Sequence, residues 1–167
     1  DGIARVTDFG VAKFARKHMA SPSDGSLKGK VGYMAPEYVS GGVIDRRLDV
    51  FAMGVALWEA LSGERCFRRA SRPETLQALL VDEPASISNK VPGLGTALDA
   101  IVACALSKSS DERFQNAAAM AAALESAAGA AHLIAGHVEV AATVKNLAGA
   151  AIEERRALLR ARLANEP

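Results

Sequence analysis

The run from Asp49 to Leu61 places Phe51, Met53, Val55, Leu57, Trp58 and Leu61 at spacings that put apolar groups on every side of a helix. A helix with no polar face has nowhere to go but a core, so the rest of the chain must be laid around it. Gly63 follows at the position where a left-handed residue closes a helix without a Cβ penalty. Asp49 stands at the front of the run, where a carboxylate accepts free backbone N–H groups as an N-cap. The strongly apolar part, Val50 to Trp58, is far shorter than the roughly twenty residues a membrane span needs, so no span is expected.

Around this helix the pattern is predominantly helical. Pro36 to Val39 reads as a short helix stopped by Gly41-Gly42, and Asp45-Arg46-Arg47 as a charged turn. Ser71 and Glu74 have capping-box spacing and Pro73 suits a first turn, which predicts a helix to Val81 before loop chemistry resumes at Asp82-Glu83-Pro84. Leu98, Ile101, Val102 and Ala105 share one face of a helix following Thr96. Asn116 precedes an alanine-rich helix holding Met120 and Leu124. Gly129 and Gly136 are expected to break that pattern, with two further helices over 138–147 and 150–163. The last of these carries Ile152, Leu159 and Leu163 on one side and a charged face read as solvated. Residues 11–32 carry loop chemistry. No repeat of solenoid length is present.

Composition narrows the function classes. With 167 residues, half of them hydrophobic, the chain can bury one sizeable core. Twenty basic and nineteen acidic residues leave a formal charge of +1, which gives no global attraction to nucleic acid. Cys66 and Cys104 lie far apart in no metal-ligand pattern and read as reduced core residues of a cytoplasmic protein. His18, His132 and His137 miss the spacing of a metal site and take surface or cap roles. The first residue is Asp1, with no leader after it, so an N-terminal truncation is expected.

Two tripeptides carry chemistry. Asp8-Phe9-Gly10 follows the short extended run Arg5-Val6-Thr7, and Ala35-Pro36-Glu37 follows Gly32-Tyr33-Met34. In that order and at that distance they resemble the two ends of a protein-kinase activation segment. The stretch from Gly42 through Phe67 is most similar to bacterial serine/threonine kinases, and the resemblance covers about residues 3–125. It implies a mainly α fold, the truncated C-terminal lobe of a protein kinase. Residues 1–125 would form a partial kinase domain with activation segment 8–37, and 126–167 a C-terminal helical extension.

The resemblance also implies roles. Asp8 would hold Mg²⁺ beside ATP, a hard cation on a hard oxygen ligand, with Phe9 packing and Gly10 supplying backbone freedom. Glu37 would pair with Arg113 of Asp111-Glu112-Arg113-Phe114, and Asp49 would bond the backbone of the catalytic loop. Ser21, Ser23 and Ser26 would be phosphosites facing Lys13, Arg16 or Lys17. The glycine-rich loop, the strand lysine and its glutamate, the catalytic aspartate and the asparagine for a second magnesium all precede Asp8 in the family, so no catalytic residue is expected in this chain. Gly29-Lys30-Val31 replaces the usual Gly-Thr-Pro, which leaves the choice between Ser/Thr and Tyr substrates open. The implied activity is transfer of the ATP γ-phosphate to protein hydroxyls, absent from the isolated chain because the N-terminal lobe is missing. A non-catalytic pseudokinase or helical binding module is the alternative.

Overall fold

The computed structural model describes residues 2–5 and 31–164. The chain divides into two compact units, one from Ser21 to Leu133 and the other comprising residues 1–20 together with Ile134 onward. The first contains a 3₁₀ turn at Val31–Tyr33 and helices α1 (Pro36–Ser40), α2 (Arg47–Ser62), α3 (Arg72–Val81), α4 (Thr96–Ala105) and α5 (Ala117–Ala130). Further 3₁₀ turns lie at Ile87–Asn89 and Ser110–Glu112. The second unit holds α6 (His137–Ala164). The architecture is mainly α, and no strand occurs among the described residues.

Local chemistry sets most of the helix ends. Gly41 and Gly63 close α1 and α2 with φ of 77° and 70°, a region in which a side chain would be strained. The Ser71 hydroxyl accepts the Glu74 N–H at the start of α3, and the Asn116 side-chain oxygen accepts the Ala119 N–H at the start of α5. At the start of α2 the outcome differs from the expectation for Asp49. The helix begins two residues earlier, at Arg47, and the Asp45 carboxylate accepts the Arg47 N–H at 2.8 Å. Asp49 is left inside the first turn with no capping to do.

Two further boundaries depart from the sequence reading. Gly129 does not end α5, which continues to Ala130 and stops because His132 adopts φ 54°. The Leu133 N–H then reaches the Ala128 carbonyl at 2.8 Å, the six-to-one bond of a Schellman ending with histidine in the usual glycine place. The expected pair of C-terminal helices is a single one, His137–Ala164, that runs through Gly149. One interior glycine costs about 1 kcal/mol relative to alanine, too little to interrupt a helix flanked by good helix formers.

Helix α2 organises the core of its unit. Phe51 and Val55 are completely buried and pack with Trp58, Phe67, Leu79, Ile87 and Val102, while Val50 joins Ala105 and Met120 in a second cluster. The rings of Phe51 and Phe67 stack with centroids 5.8 Å apart. Trp58 donates its indole N–H to the Ala85 carbonyl at 2.8 Å, so its one polar atom is satisfied inside the core. The helix is not buried on every side, however: Asp49, Met53, Ala56 and Ala60 are all exposed.

At Gly54, α2 packs tightly against the end of α4. A Cβ there would lie 2.9 Å from the Ala105 Cβ and 3.1 Å from a Leu106 methyl. Alanine would gain helix propensity and lose more by overpacking, since forced insertion into a filled core costs about 1–3 kcal/mol. Gly54→Val is therefore expected to lower the midpoint of urea unfolding by more than Gly54→Ala, and both to fall below the parent. A stabilised Gly54→Ala variant would show that the contact relaxes freely.

Candidate functional site

Glu37 and Arg113, 76 positions apart, meet through two parallel bonds. Arg113 donates from Nη1 to Glu37 Oε1 and from Nη2 to Glu37 Oε2, each at 2.7 Å. The arginine side chain is wholly buried and the glutamate 13% exposed. Every arm of the guanidinium is used. Nε donates to the Ser107 carbonyl at 2.8 Å, and the terminal nitrogens reach the Arg47 and Lys108 carbonyls at 3.3 Å. The flat face of the group lies 4.9 Å from the centre of the Phe51 ring, adding a cation–π contact. Planarity and five fixed donors are what this position demands, and lysine would meet neither requirement.

A second polar cluster was not foreseen from the sequence. Tyr33 donates its hydroxyl to Glu59 Oε2 at 2.7 Å, Arg65 reaches the same oxygen at 2.8 Å, and the Cys66 N–H donates to Glu59 Oε1 at 3.1 Å. Arg65 also donates to the Tyr33 hydroxyl oxygen at 3.0 Å. Burial alone would push the Glu59 carboxyl up, but the bonds from Tyr33, Cys66 N–H and Arg65 outweigh it and hold it below the usual carboxylate range. The bond to Glu59, and then burial, push the Tyr33 hydroxyl above its ordinary value. The signal available was the single carboxylate interrupting the apolar run of α2. A carboxylate inside such a helix needs donors, and these come from residues before and after it.

Arg47 ties the start of α2 to the turn before Arg113. It pairs with Asp45 and with Asp111, both at 2.7 Å, and donates to the Ser110 carbonyl at 3.2 Å. Arg46 donates to the Gln115 carbonyl at 2.7 Å. The charged turn ahead of α2 is thus stitched to residues 110–115, alongside the Glu37–Arg113 pair.

The other predicted positions divide simply. Asp49 is exposed on α2, away from the capping role. Asp8, Phe9, Gly10, Ser21, Ser23 and Ser26 lie outside the described residues, as do Lys13, Arg16, Lys17, His18 and Lys30. His132 ends α5, and the His137 ring nitrogen Nδ1 lies 3.3 Å from the Gly2 carbonyl. Cys66 and Cys104 are free thiols, and burial pushes the Cys66 thiol up to about 12. Among the described residues no group of three His, Cys, Asp or Glu side chains is placed to hold a metal ion. None of the described helices is long and apolar enough to cross a membrane.

Removing one member of a buried ion pair strands the other at a cost of roughly 3–5 kcal/mol, whereas replacing both with apolar groups costs far less. Glu37→Leu and Arg113→Met are each expected to destabilise the chain by about that amount in urea titrations, with the double variant less destabilised than the sum. Strict additivity would mean the two side chains do not depend on each other. For Glu59 the sign follows from a folded-state pKa below the ordinary 4.5. Its contribution is complete above that value and is lost as pH falls through the lower folded value. Thermal unfolding should show a steep acid limb below about pH 4.5 that flattens in Glu59→Gln. An unchanged acid limb would place the pH sensitivity elsewhere.

Comparison with known proteins bears directly on this arrangement. The protein kinase domain family matches residues 1–123. The tyrosine-protein kinase MasK of Myxococcus xanthus is 41% identical over 124 residues, covering 74% of this chain and 19% of that protein. The serine/threonine-protein kinase Pkn1 of the same organism is 34% identical over 153 residues, covering 92% of this chain and 21% of its own length. The serine/threonine-protein kinase PknB of Mycobacterium tuberculosis is 34% identical over 121 residues, covering 72% of this chain and 19% of its own. The chain spans about one fifth of the length of these curated relatives. With 123 of its 167 residues matched, and relatives of bacterial origin named as protein kinases, the chain belongs to the bacterial protein kinase family.

Proposed function

We propose that this chain is the C-terminal-lobe portion of a protein kinase that transfers the ATP γ-phosphate to serine or threonine hydroxyls of other proteins. Asp8 is the magnesium ligand in this reading, Phe9 its packing residue and Gly10 the point of backbone freedom. Bound Mg²⁺ would supply charge neutralisation at the transferring phosphoryl group. Residues 1–125 are the partial kinase domain and 126–167 an appended helical segment. Ser21, Ser23 and Ser26 are candidate phosphosites of the activation segment. The complete protein works in the cytoplasm.

One observation in particular supports the reading. Asp49, Met53, Ala56 and Ala60 form an exposed stripe along one face of α2, a helix otherwise built for burial. A residue at i, then i+4, i+7 and i+11, lines a single helix face. That stripe is the surface against which a catalytic loop would lie, with Asp49 offering its carboxylate to the loop backbone. The named serine/threonine kinases among the relatives favour hydroxyls of serine and threonine, and the MasK likeness makes tyrosine the second hydroxyl class to assay.

Purified 1–167, with ATP, Mg²⁺ and a generic protein acceptor, is expected to show no phosphoryl transfer, because the groups that align the nucleotide and accept the proton come from elsewhere in the family fold. Supplied with the upstream lobe of a close relative, the same chain should become active, and Asp8→Ala should reduce that activity by at least about a thousandfold. Turnover by the isolated chain, or an active Asp8→Ala chimera, overturns the reading.

A further inference from the structure

A groove of about 490 Å³ separates the Val31–Tyr33 turn from the first turn of α3. Four arginines line it, Arg65, Arg68, Arg69 and Arg72. Two of them are already occupied. Arg65 is held by Glu59 at 2.8 Å and Arg69 by Asp82 at 2.7 Å. Arg68 is exposed and Arg72 half-buried, and among the described residues neither guanidinium has an acidic partner within 4.0 Å.

The walls are fixed. Thr75 is only 5% exposed and donates its hydroxyl to the Ser71 carbonyl at 2.9 Å, while its oxygen accepts the Arg69 N–H at 3.0 Å. On the opposite wall, the Tyr33–Glu59–Arg65 cluster holds the tyrosine ring in place. Two guanidinium forks with no acidic partner among the described residues, set on a rigid concavity, match carboxylates, which accept two parallel N–H bonds from one fork.

We propose that this groove binds an acidic segment of a protein substrate, with Arg68 and Arg72 taking Asp or Glu side chains. The occupant is a peptide rather than a polyanion. Glu59 lines the groove, Asp82 pairs with its Arg69, and the chain carries only +1 overall, so no broad positive field exists to follow a phosphate backbone. Attribution of the segment to a phosphorylated substrate rests on the kinase reading; the binding itself does not.

The test is a fluorescence-anisotropy titration of the 167-residue chain with three labelled probes of equal length: an Asp/Glu-rich peptide with one serine, its Lys/Arg-rich counterpart, and an oligouridylate. The acidic peptide should bind and the basic one should not. Arg68→Glu with Arg72→Glu should weaken the acidic peptide by more than about tenfold, since like charges then face each other. Arg68→Lys with Arg72→Lys keeps the charge and loses the forks, so it should weaken the acidic peptide by less than the glutamate pair does, and circular-dichroism melting should confirm that each variant folds. Equal binding of the two peptides, oligouridylate binding as tight as the acidic peptide, or full affinity in the double glutamate variant overturns the proposal. Because no step depends on ATP, a chain that binds the acidic peptide while its chimera proves inactive separates this inference from the kinase reading.

Discussion

The Glu37–Arg113 pair is the constraint on which the larger unit depends. A fully buried guanidinium is tolerated only when all its donors are used, and Arg113 uses them on five acceptors from three separate stretches: Glu37, the Arg47 carbonyl, and the carbonyls of Ser107 and Lys108. The start of α1, the start of α2 and the end of α4 are therefore fixed to one planar group. The ring of Phe51 beneath it connects that polar hub to the apolar core. The arrangement costs desolvation, and it returns a single geometry, because a bidentate fork accepts little displacement.

Helix α2 extends that order through the interior. Gly54 leaves room for the Ala105 and Leu106 side chains against it, Phe51 and Val55 fill one cluster, and Val50 fills the other. Glu59 then converts a helix face into a polar anchor for the Val31–Tyr33 turn, and Arg65 completes the charge balance. The groove lined by Arg68 and Arg72 takes its shape from this anchor on one side and from the capped start of α3 on the other. Core packing and the chemistry at the surface are thus parts of one scaffold.

Much of the fold was legible because its causes are local. Ser71, Asn116, Gly41 and Gly63 act within a few residues of themselves, and the apolar run of α2 demands burial whatever surrounds it. Where local rules compete, reading failed. Asp49 is a plausible cap by position, and only the backbone path shows that the helix begins earlier, at Arg47, with the Asp45 carboxylate accepting the Arg47 N–H in the turn before it. Gly129 and Gly149 are weak breakers whose effect the neighbouring residues outweigh, while His132 ends a helix in a conformation that favours glycine. The Arg113 partnership was accessible through the family resemblance and through nothing in composition or spacing, since 76 positions separate the two charges. Asp8, Phe9, Gly10 and the three serines remain sequence-level assignments.

By itself, then, the amino-acid sequence determined that this protein is helical, where most of its helices start and stop, and which family it belongs to. Those are matters of capping, periodicity and ordered motifs, all encoded over short distances. Only the tertiary structure decided which charges meet: that Glu59 is shared by Tyr33, Arg65 and Cys66, that Arg113 is fully saturated, and that among the described residues Arg68 and Arg72 have no acidic partner. Electrostatic pairing depends on distances of a few ångströms between groups far apart in the chain. No local rule supplies those distances until the core has packed.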